Sequence, residues 1–201
     1  MRFYLLLAIL CLGKWATAQD LTDTIQLHFL YGSVPSKGYK QSEKKLFGGI
    51  KGGHVNIEAN GRILDFLSGN CPILPENKRP TGGFYIKNSV YWDTATNKWL
   101  TIKIPVTREQ LTALDTLFEQ YAKETPYDYA VFGMRCAAAS YDVLSEVGLV
   151  KKVPEKNNIV KNFYPKLLRK RMQKLAEKNN YPIIYHEGRN SRKWETDKGI
   201  F

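Results

Sequence analysis

Residues 54–67 read His-Val-Asn-Ile-Glu-Ala, then Asn-Gly, then Arg-Ile-Leu-Asp-Phe-Leu, and no other stretch constrains the chain as tightly. Asn-Gly between two alternating runs predicts a two-residue type I′ hairpin turn, because both residues tolerate the positive φ that this turn demands. A turn of that length sets the register: Ala59 faces Arg62, Ile57 faces Leu64, Asn56 faces Asp65, Val55 faces Phe66 and His54 faces Leu67. Side chains alternate along a strand, so Val55, Ile57, Ala59, Leu64 and Phe66 share a largely apolar face. His54, Asn56, Glu58, Ile63 and Asp65 share the other, where Asp65 is the diagonal neighbour of His54 and within reach of its ring.

Strands and helices are mixed along the rest of the chain. Thr24 to Tyr31, Phe84 to Trp92 and Lys98 to Val106 alternate or are rich in aromatic and branched residues, and each predicts a strand. Ser68 to Gly83, with its prolines and glycines, predicts a long irregular loop, and Gly48 to Gly53 a place where backbone passes close to a neighbour. Thr107-Arg108-Glu109-Gln110 is a capping-box pattern opening a helix with Leu111, Leu114, Leu117, Phe118 and Tyr121 on one face. Pro165 opens a last helix with Leu168, Met172 and Leu175 inward and Lys166, Arg169, Lys170, Arg171 and Lys174 outward. Pro182 to Tyr185 predicts a closing strand, and the residues around Arg189, Arg192 and Lys193 a mobile tail.

The first 18 residues have the layout of a secretory signal peptide: Arg2, an apolar core from Phe3 to Leu12, and Ala16-Thr17-Ala18 before the cut. Removing them from the 201 residues leaves 183, a length suited to one domain, 19–201, that is secreted or periplasmic. The apolar run is too short for a permanent membrane helix. Between Lys151 and Asn180 ten Lys or Arg face only Glu155 and Glu177, so the basic excess is local. That helix, through Lys166, Arg169, Lys170 and Lys174, is either a solvated face or a surface for an anionic lipid, wall polymer or nucleic acid. An anionic envelope component is the expected partner, and no nucleic acid is expected.

Two cysteines, Cys71 and Cys136, follow the leader; in an oxidising compartment one disulfide would account for both. The alternative is chemical. Residues 125–135 begin as a turn at Pro126 and Asp128 and run into a helix starting near Cys136, with Ala137-Ala138-Ala139 allowing close packing. A cysteine at a helix start feels the partial positive charge of the unpaired N–H groups, and Arg135 adds to it, so its thiolate is favoured. Nucleophilic thiol chemistry also needs an imidazole and a polar group to orient it. Of the three histidines, His54 in its glycine-flanked strand is the best placed, with Asp65 as third member and Asn56 or Glu58 as alternatives. Histidines and cysteines so scattered show no metal-ligand spacing, and no cofactor is called for.

Gly52-Gly53-His54-Val55 opening a hairpin, with Tyr127-Asp128 upstream of a helical Cys136-Ala137-Ala138, resembles the circularly permuted NlpC-type branch of papain-like cysteine hydrolases, to which the lecithin:retinol acyltransferase-like proteins belong. The likeness spans Ile25 to Val150 in order and local motif. It implies an α+β papain-like fold, circularly permuted, with a small antiparallel sheet against the cysteine helix. It also implies thiol attack on an amide, ester or thioester, of peptidoglycan peptides or lipid esters. In that family Cys136 matches the nucleophile, His54 the base, Asp65 the third polar position, and Tyr127 an oxyanion-stabilising tyrosine. Many relatives carry Ser or Thr where this chain has Ala137, a departure that leaves open an inactive fold binding through its basic helix.

Overall fold

The computed structural model describes residues 23–40, 52–68, 72–75 and 82–196. The segment predicted as a signal peptide, Cys71 and the glycines Gly48 and Gly49 lie outside the described residues.

The chain folds as α+β around an antiparallel sheet. Its strands are β1 (Asp23–Leu30), β3 (His54–Ala59), β4 (Arg62–Ser68), β5 (Gly82–Lys87), β6 (Trp99–Val106) and β7 (Ile183–His186), in spatial order β5-β4-β3-β1-β6-β7. Two short strands, β2 (Ser33–Pro35) and β8 (Arg192–Trp194), pair separately. The helices are α1 (Arg108–Lys123), α2 (Cys136–Glu146), α3 (Glu155–Lys161) and α4 (Pro165–Asn179). The sheet lines up with the helices: α1 packs on β5, β3 and β1, α2 on β3 and β4, and α4 on β6.

The β3–β4 hairpin forms as the sequence predicts. Asn60 and Gly61 take φ values of 51° and 70°, and Ala59 pairs with Arg62 and Ile57 with Leu64. Beyond Ile57 the paired register stops, so Asn56, Val55 and His54 do not continue the ladder with β4. They pair instead with β1, His54 opposite Leu30 and Asn56 opposite His28. The strand begins at His54 because Gly53 turns the chain there with φ 85°. A Cβ on Gly53 would stand 2.4 Å from the Leu30 carbonyl oxygen, so no other residue fits without moving β1.

The core is one buried cluster. Phe29, Phe66 and Phe118 are among its largest fully buried side chains, each worth roughly 2–3 kcal/mol of burial. The capping box of α1 is complete: the Thr107 hydroxyl accepts from the Gln110 N–H and the Gln110 side chain accepts from the Thr107 N–H. Ala137, Ala138 and Ala139 are all buried, so α2 approaches the sheet closely. A polar relay anchors it from the other side. Arg171 donates to Asn162 (2.8 Å), Asn162 to Asn158 (2.7 Å), and Asn158 to the Ala138 carbonyl (2.9 Å).

Four expectations are corrected. The strand predicted over Phe84 to Trp92 ends at Lys87, and the chain turns through residues 88–98 so that Trp92 is buried and Tyr91 half-buried. Asp93 shapes that turn by accepting from the Ala95 N–H and the Thr96 hydroxyl. The tail is not loose: β8 pairs with β2, and Arg192 donates to the Ser33 hydroxyl at 2.8 Å. Arg169 does not face outward. It is buried under the Tyr31 ring (3.7 Å to the centroid) and paired with the buried Glu195, because β2 and the tail fold over that face of α4. Arg171 is likewise half-buried, tied to Asn162 and lying over Tyr141. Of the four proposed binding residues, Lys170 and Lys174 are exposed and Lys166 is half-buried.

Candidate active site

Three adjacent strands and one helix end bring the charged groups together. Cys136 is the first residue of α2, and Arg135, in extended conformation, caps the helix without a side-chain hydrogen bond. The first N–H groups of a helix have no partner within it, so the end of α2 presents positive partial charge at the sulfur. His54 starts β3, Asp65 lies on β4 and Lys87 ends β5.

The His54 Nε2–H donates to Asp65 Oδ1 at 2.5 Å, and Lys87 Nζ donates to Asp65 Oδ2 at 2.9 Å. Asp65 is thus a fully buried carboxylate held between two cations. With Nε2 engaged, Nδ1 is the nitrogen left for Cys136, and His54 and Cys136 are hydrogen-bonded. Cys136 is a free, buried thiol.

The electrostatics follow from this geometry. Burial alone would raise the Cys136 pKa, but the His54 charge and hydrogen bond, the Arg135 charge and the Val55 N–H outweigh it and hold the thiol below its ordinary value. Burial alone would lower the His54 pKa, but the Cys136 charge and the Asp65 hydrogen bond and charge outweigh it and raise it. Burial would raise Asp65, and His54 and Lys87 together pull it below the usual carboxylate range. The three shifts favour one microstate: thiolate, imidazolium, carboxylate.

Aromatic rings wall the pair. Tyr91 stands edge-on to His54 at 5.2 Å and Trp92 at 6.3 Å, with Lys87 Nζ 4.9 Å from the Tyr91 ring centre. Burial, with the negative charges of Asp65 and Cys136 behind it, pushes the Tyr91 hydroxyl well above its ordinary pKa. A hydroxyl so held stays protonated and remains a donor.

The other candidates are placed elsewhere or engaged. Glu58 pairs with His28, whose Nε2 is 2.7 Å away and whose Nδ1 is 2.9 Å from the Thr101 hydroxyl. Asn56 is buried on β3, and neither side-chain polar atom has a hydrogen-bond partner among the described residues. Tyr127 packs its ring on Phe66 (5.4 Å) and Phe84 (5.9 Å), and burial, with the Asp142 charge beside it, raises its hydroxyl pKa well above the ordinary value. That position makes it part of the core beneath α2. Lys87, Tyr91 and Trp92 are the residues that sequence reasoning missed, and the diagonal of Lys87 to Asp65 across β4–β5 becomes visible only with the register.

Among the described residues no three His, Cys, Asp or Glu are grouped to hold a metal ion, and no helix is long and apolar enough to cross a membrane. No protein-family model, curated protein or solved structure matches this chain.

Such a site can do nucleophilic chemistry. A thiolate at a helix start attacks a carbonyl, the backbone N–H of Cys136 is available to the developing oxyanion, and the imidazolium supplies a proton to the leaving group.

Proposed function

We propose that this protein is a cysteine hydrolase with a circularly permuted papain-like arrangement, acting on peptide amides of the cell envelope after export. The observation that carries the reading is the buried Cys136–His54–Asp65 relay, with the thiol shifted down and the imidazole up. Cys136 Sγ forms a bond to the substrate carbonyl carbon, and the bond to the leaving nitrogen breaks as His54 protonates it. Water then attacks the thioester, His54 takes its proton, and the carboxylic acid leaves with the thiolate regenerated. Asp65 fixes the imidazole tautomer and stabilises its charge, and Lys87 holds the second oxygen of Asp65.

The test is hydrolysis of a panel of peptide amides, lipid esters and thioesters, with mass spectrometry for an acyl adduct on Cys136. Turnover of a panel member, lost in Cys136→Ala and in His54→Ala, is the expected result. Turnover that persists in Cys136→Ala would contradict it.

One observation favours a second reading. Cys136 and His54 are only 2% and 1% exposed, so a substrate must displace part of the wall to reach the sulfur. Ala137, where the family pattern has Ser or Thr, points the same way. An inactive papain-like fold that binds an anionic envelope component through Lys166, Lys170 and Lys174 accounts for both. The same panel separates the two readings, since an inactive fold gives no adduct with any carbonyl.

A further inference from the structure

Exposed large apolar side chains are gathered on one part of this molecule. Among the described residues there are nine, and five of them, Ile73, Leu74, Phe132, Val160 and Leu167, belong to three segments that touch one another. The Val131 N–H donates to the Pro72 carbonyl at 2.8 Å and the Phe132 N–H to the Ile73 carbonyl at 2.9 Å. Residues 72–74 therefore run beside the loop that leads to Cys136. The Phe132 ring lies 6.3 Å from that of Phe163, and Phe163 stands edge-on to Tyr164 at 4.7 Å. Val160 is in the last turn of α3, three residues before Phe163. Leu167 is in the first turn of α4, where its N–H donates to the Tyr164 carbonyl at 2.9 Å.

Lysines border these residues. On α4, Leu167, Lys170 and Lys174 recur at spacings of three and four, so they form one stripe along the helix. On α3, Lys156 lies one turn before Val160 and Lys161 directly after it. Lys156, Lys161, Lys170 and Lys174 are all exposed. Only Glu155 and Glu177 oppose the basic residues between Lys151 and Asn180. Apolar side chains among unopposed lysines match the two layers of an anionic membrane surface, acyl chains below and phosphates above. Ile73, Leu74, Phe132 and Val160 are 62% to 68% exposed, so each projects into solvent instead of lining a groove. Projecting side chains suit a fluid layer, which needs no matching shape, better than a protein partner.

We propose that this face docks the protein on an anionic phospholipid bilayer. Ile73, Leu74, Phe132 and Leu167 enter the acyl boundary, and the lysines of α3 and α4 sit among the lipid phosphates. The proposal commits the anionic component of the second reading to a lipid surface, adds the apolar anchors to it, and holds whether or not Cys136 is a nucleophile. Phe132 lies four residues before Cys136, so docking also brings the start of α2 toward the membrane.

The experiment is co-sedimentation of the full chain with vesicles of phosphatidylcholine, alone or mixed with phosphatidylglycerol, at low and at high salt. Binding to the mixed vesicles, weakened by salt and by omission of phosphatidylglycerol, is the expected result. A lysine near such a surface contributes about fivefold, so Lys170→Glu with Lys174→Glu should weaken binding at least about twentyfold. Phe132→Ser should weaken it about tenfold at low salt and leave the thermal midpoint unchanged, because the ring is exposed. Equal sedimentation with neutral and anionic vesicles, or none with either, would overturn the docking face. Binding that depends on the lysines but is unchanged in both Phe132→Ser and Leu167→Ser would overturn it too, since no side chain would then enter the bilayer. Soluble polyglutamate bound as tightly as the mixed vesicles would reassign the lysines to an anionic polymer and overturn it as well. Vesicle binding by a protein that hydrolyses nothing would leave the docking face standing and refute the hydrolase. Hydrolysis of soluble peptides without vesicle binding would do the reverse.

Discussion

Replacing Asp65 by asparagine keeps the size of the side chain and an oxygen that accepts the His54 Nε2–H, and it removes the negative charge behind the imidazolium. The hydrogen bond to a fully buried carboxylate at 2.5 Å is charge-assisted. Such bonds contribute about 1.5–3 kcal/mol against about 0.5–1.5 kcal/mol for a neutral one. Two unit charges 4 Å apart add about 4 kcal/mol at an effective dielectric constant near 20. Lys87, 2.9 Å from the other oxygen, cancels much of that longer-range field. The expected loss is therefore nearer the hydrogen-bond difference, about 1–1.5 kcal/mol, which is roughly fivefold to tenfold in the thiolate–imidazolium population. Iodoacetamide alkylation of Cys136, followed by mass spectrometry, reads that population directly. Access to the buried sulfur is common to both proteins, so the ratio of rates isolates the charge effect. At about pH 6 Asp65→Asn should react roughly fivefold to tenfold more slowly than wild type, and the two rates should converge above about pH 9, where any thiol ionises. Equal rates at acidic pH, with Asn56→Ala or Glu58→Ala slowed instead, would refute the assignment of Asp65 and the electrostatics built on it.

Lys87→Met leaves Asp65 with one partner. Because the Asp65 pKa is lowered in the folded protein, its contribution to stability is present above the unfolded value of about 3.9 and is lost as pH falls through the folded value. Without Lys87 the folded value rises, so acid unfolding followed by circular dichroism should begin at higher pH, while alkylation of Cys136 near neutrality changes little. An unchanged acid midpoint would mean that Lys87 is only a surface charge. Arg169→Met strands the buried Glu195 carboxylate and should cost about 3–5 kcal/mol, lowering the thermal midpoint by roughly 10 °C. Partial recovery in the double variant with Glu195→Leu would identify the stranded charge as the cause, and a midpoint within a degree of wild type would refute the burial of Arg169.

The hairpin was legible because its cause is local. Asn60 and Gly61 supply the positive φ, and the alternation on either side supplies the register. The same locality explains why the capping box at Thr107 and the helix start at Pro165 appear where the pattern puts them. His54, Asp65 and Cys136 came together from chemistry and a diagonal step across one hairpin. Lys87 was not legible, because its relation to Asp65 depends on the β4–β5 register, set by a pairing across a long loop that no turn motif specifies. Arg169 was misread for a related reason. On α4 alone it lies on the charged face, and only Tyr31 and Glu195, more than a hundred residues apart in sequence, close over it. Tyr91 and Trp92 had strand-like composition, yet the chain turns after Lys87 and uses the two rings as a wall for His54. Tyr127 illustrates the limit of a motif. Its place upstream of Cys136 suits an oxyanion donor, but the aromatic cluster of Phe66, Phe84 and Tyr121 holds its ring under α2.

The central claim is that Cys136 rests as a thiolate paired with the His54 imidazolium, and titration of the thiolate's ultraviolet absorbance tests it most directly. In a Cys11→Ser, Cys71→Ser background only Cys136 contributes, since these are the three cysteines of the sequence. The account predicts an inflection clearly below the ordinary thiol value of about 8.5, moving up in Asp65→Asn and further in His54→Ala. An inflection at or above about 8.5, unmoved by either substitution, would mean that burial dominates at Cys136 and that the pair is an inert piece of the core.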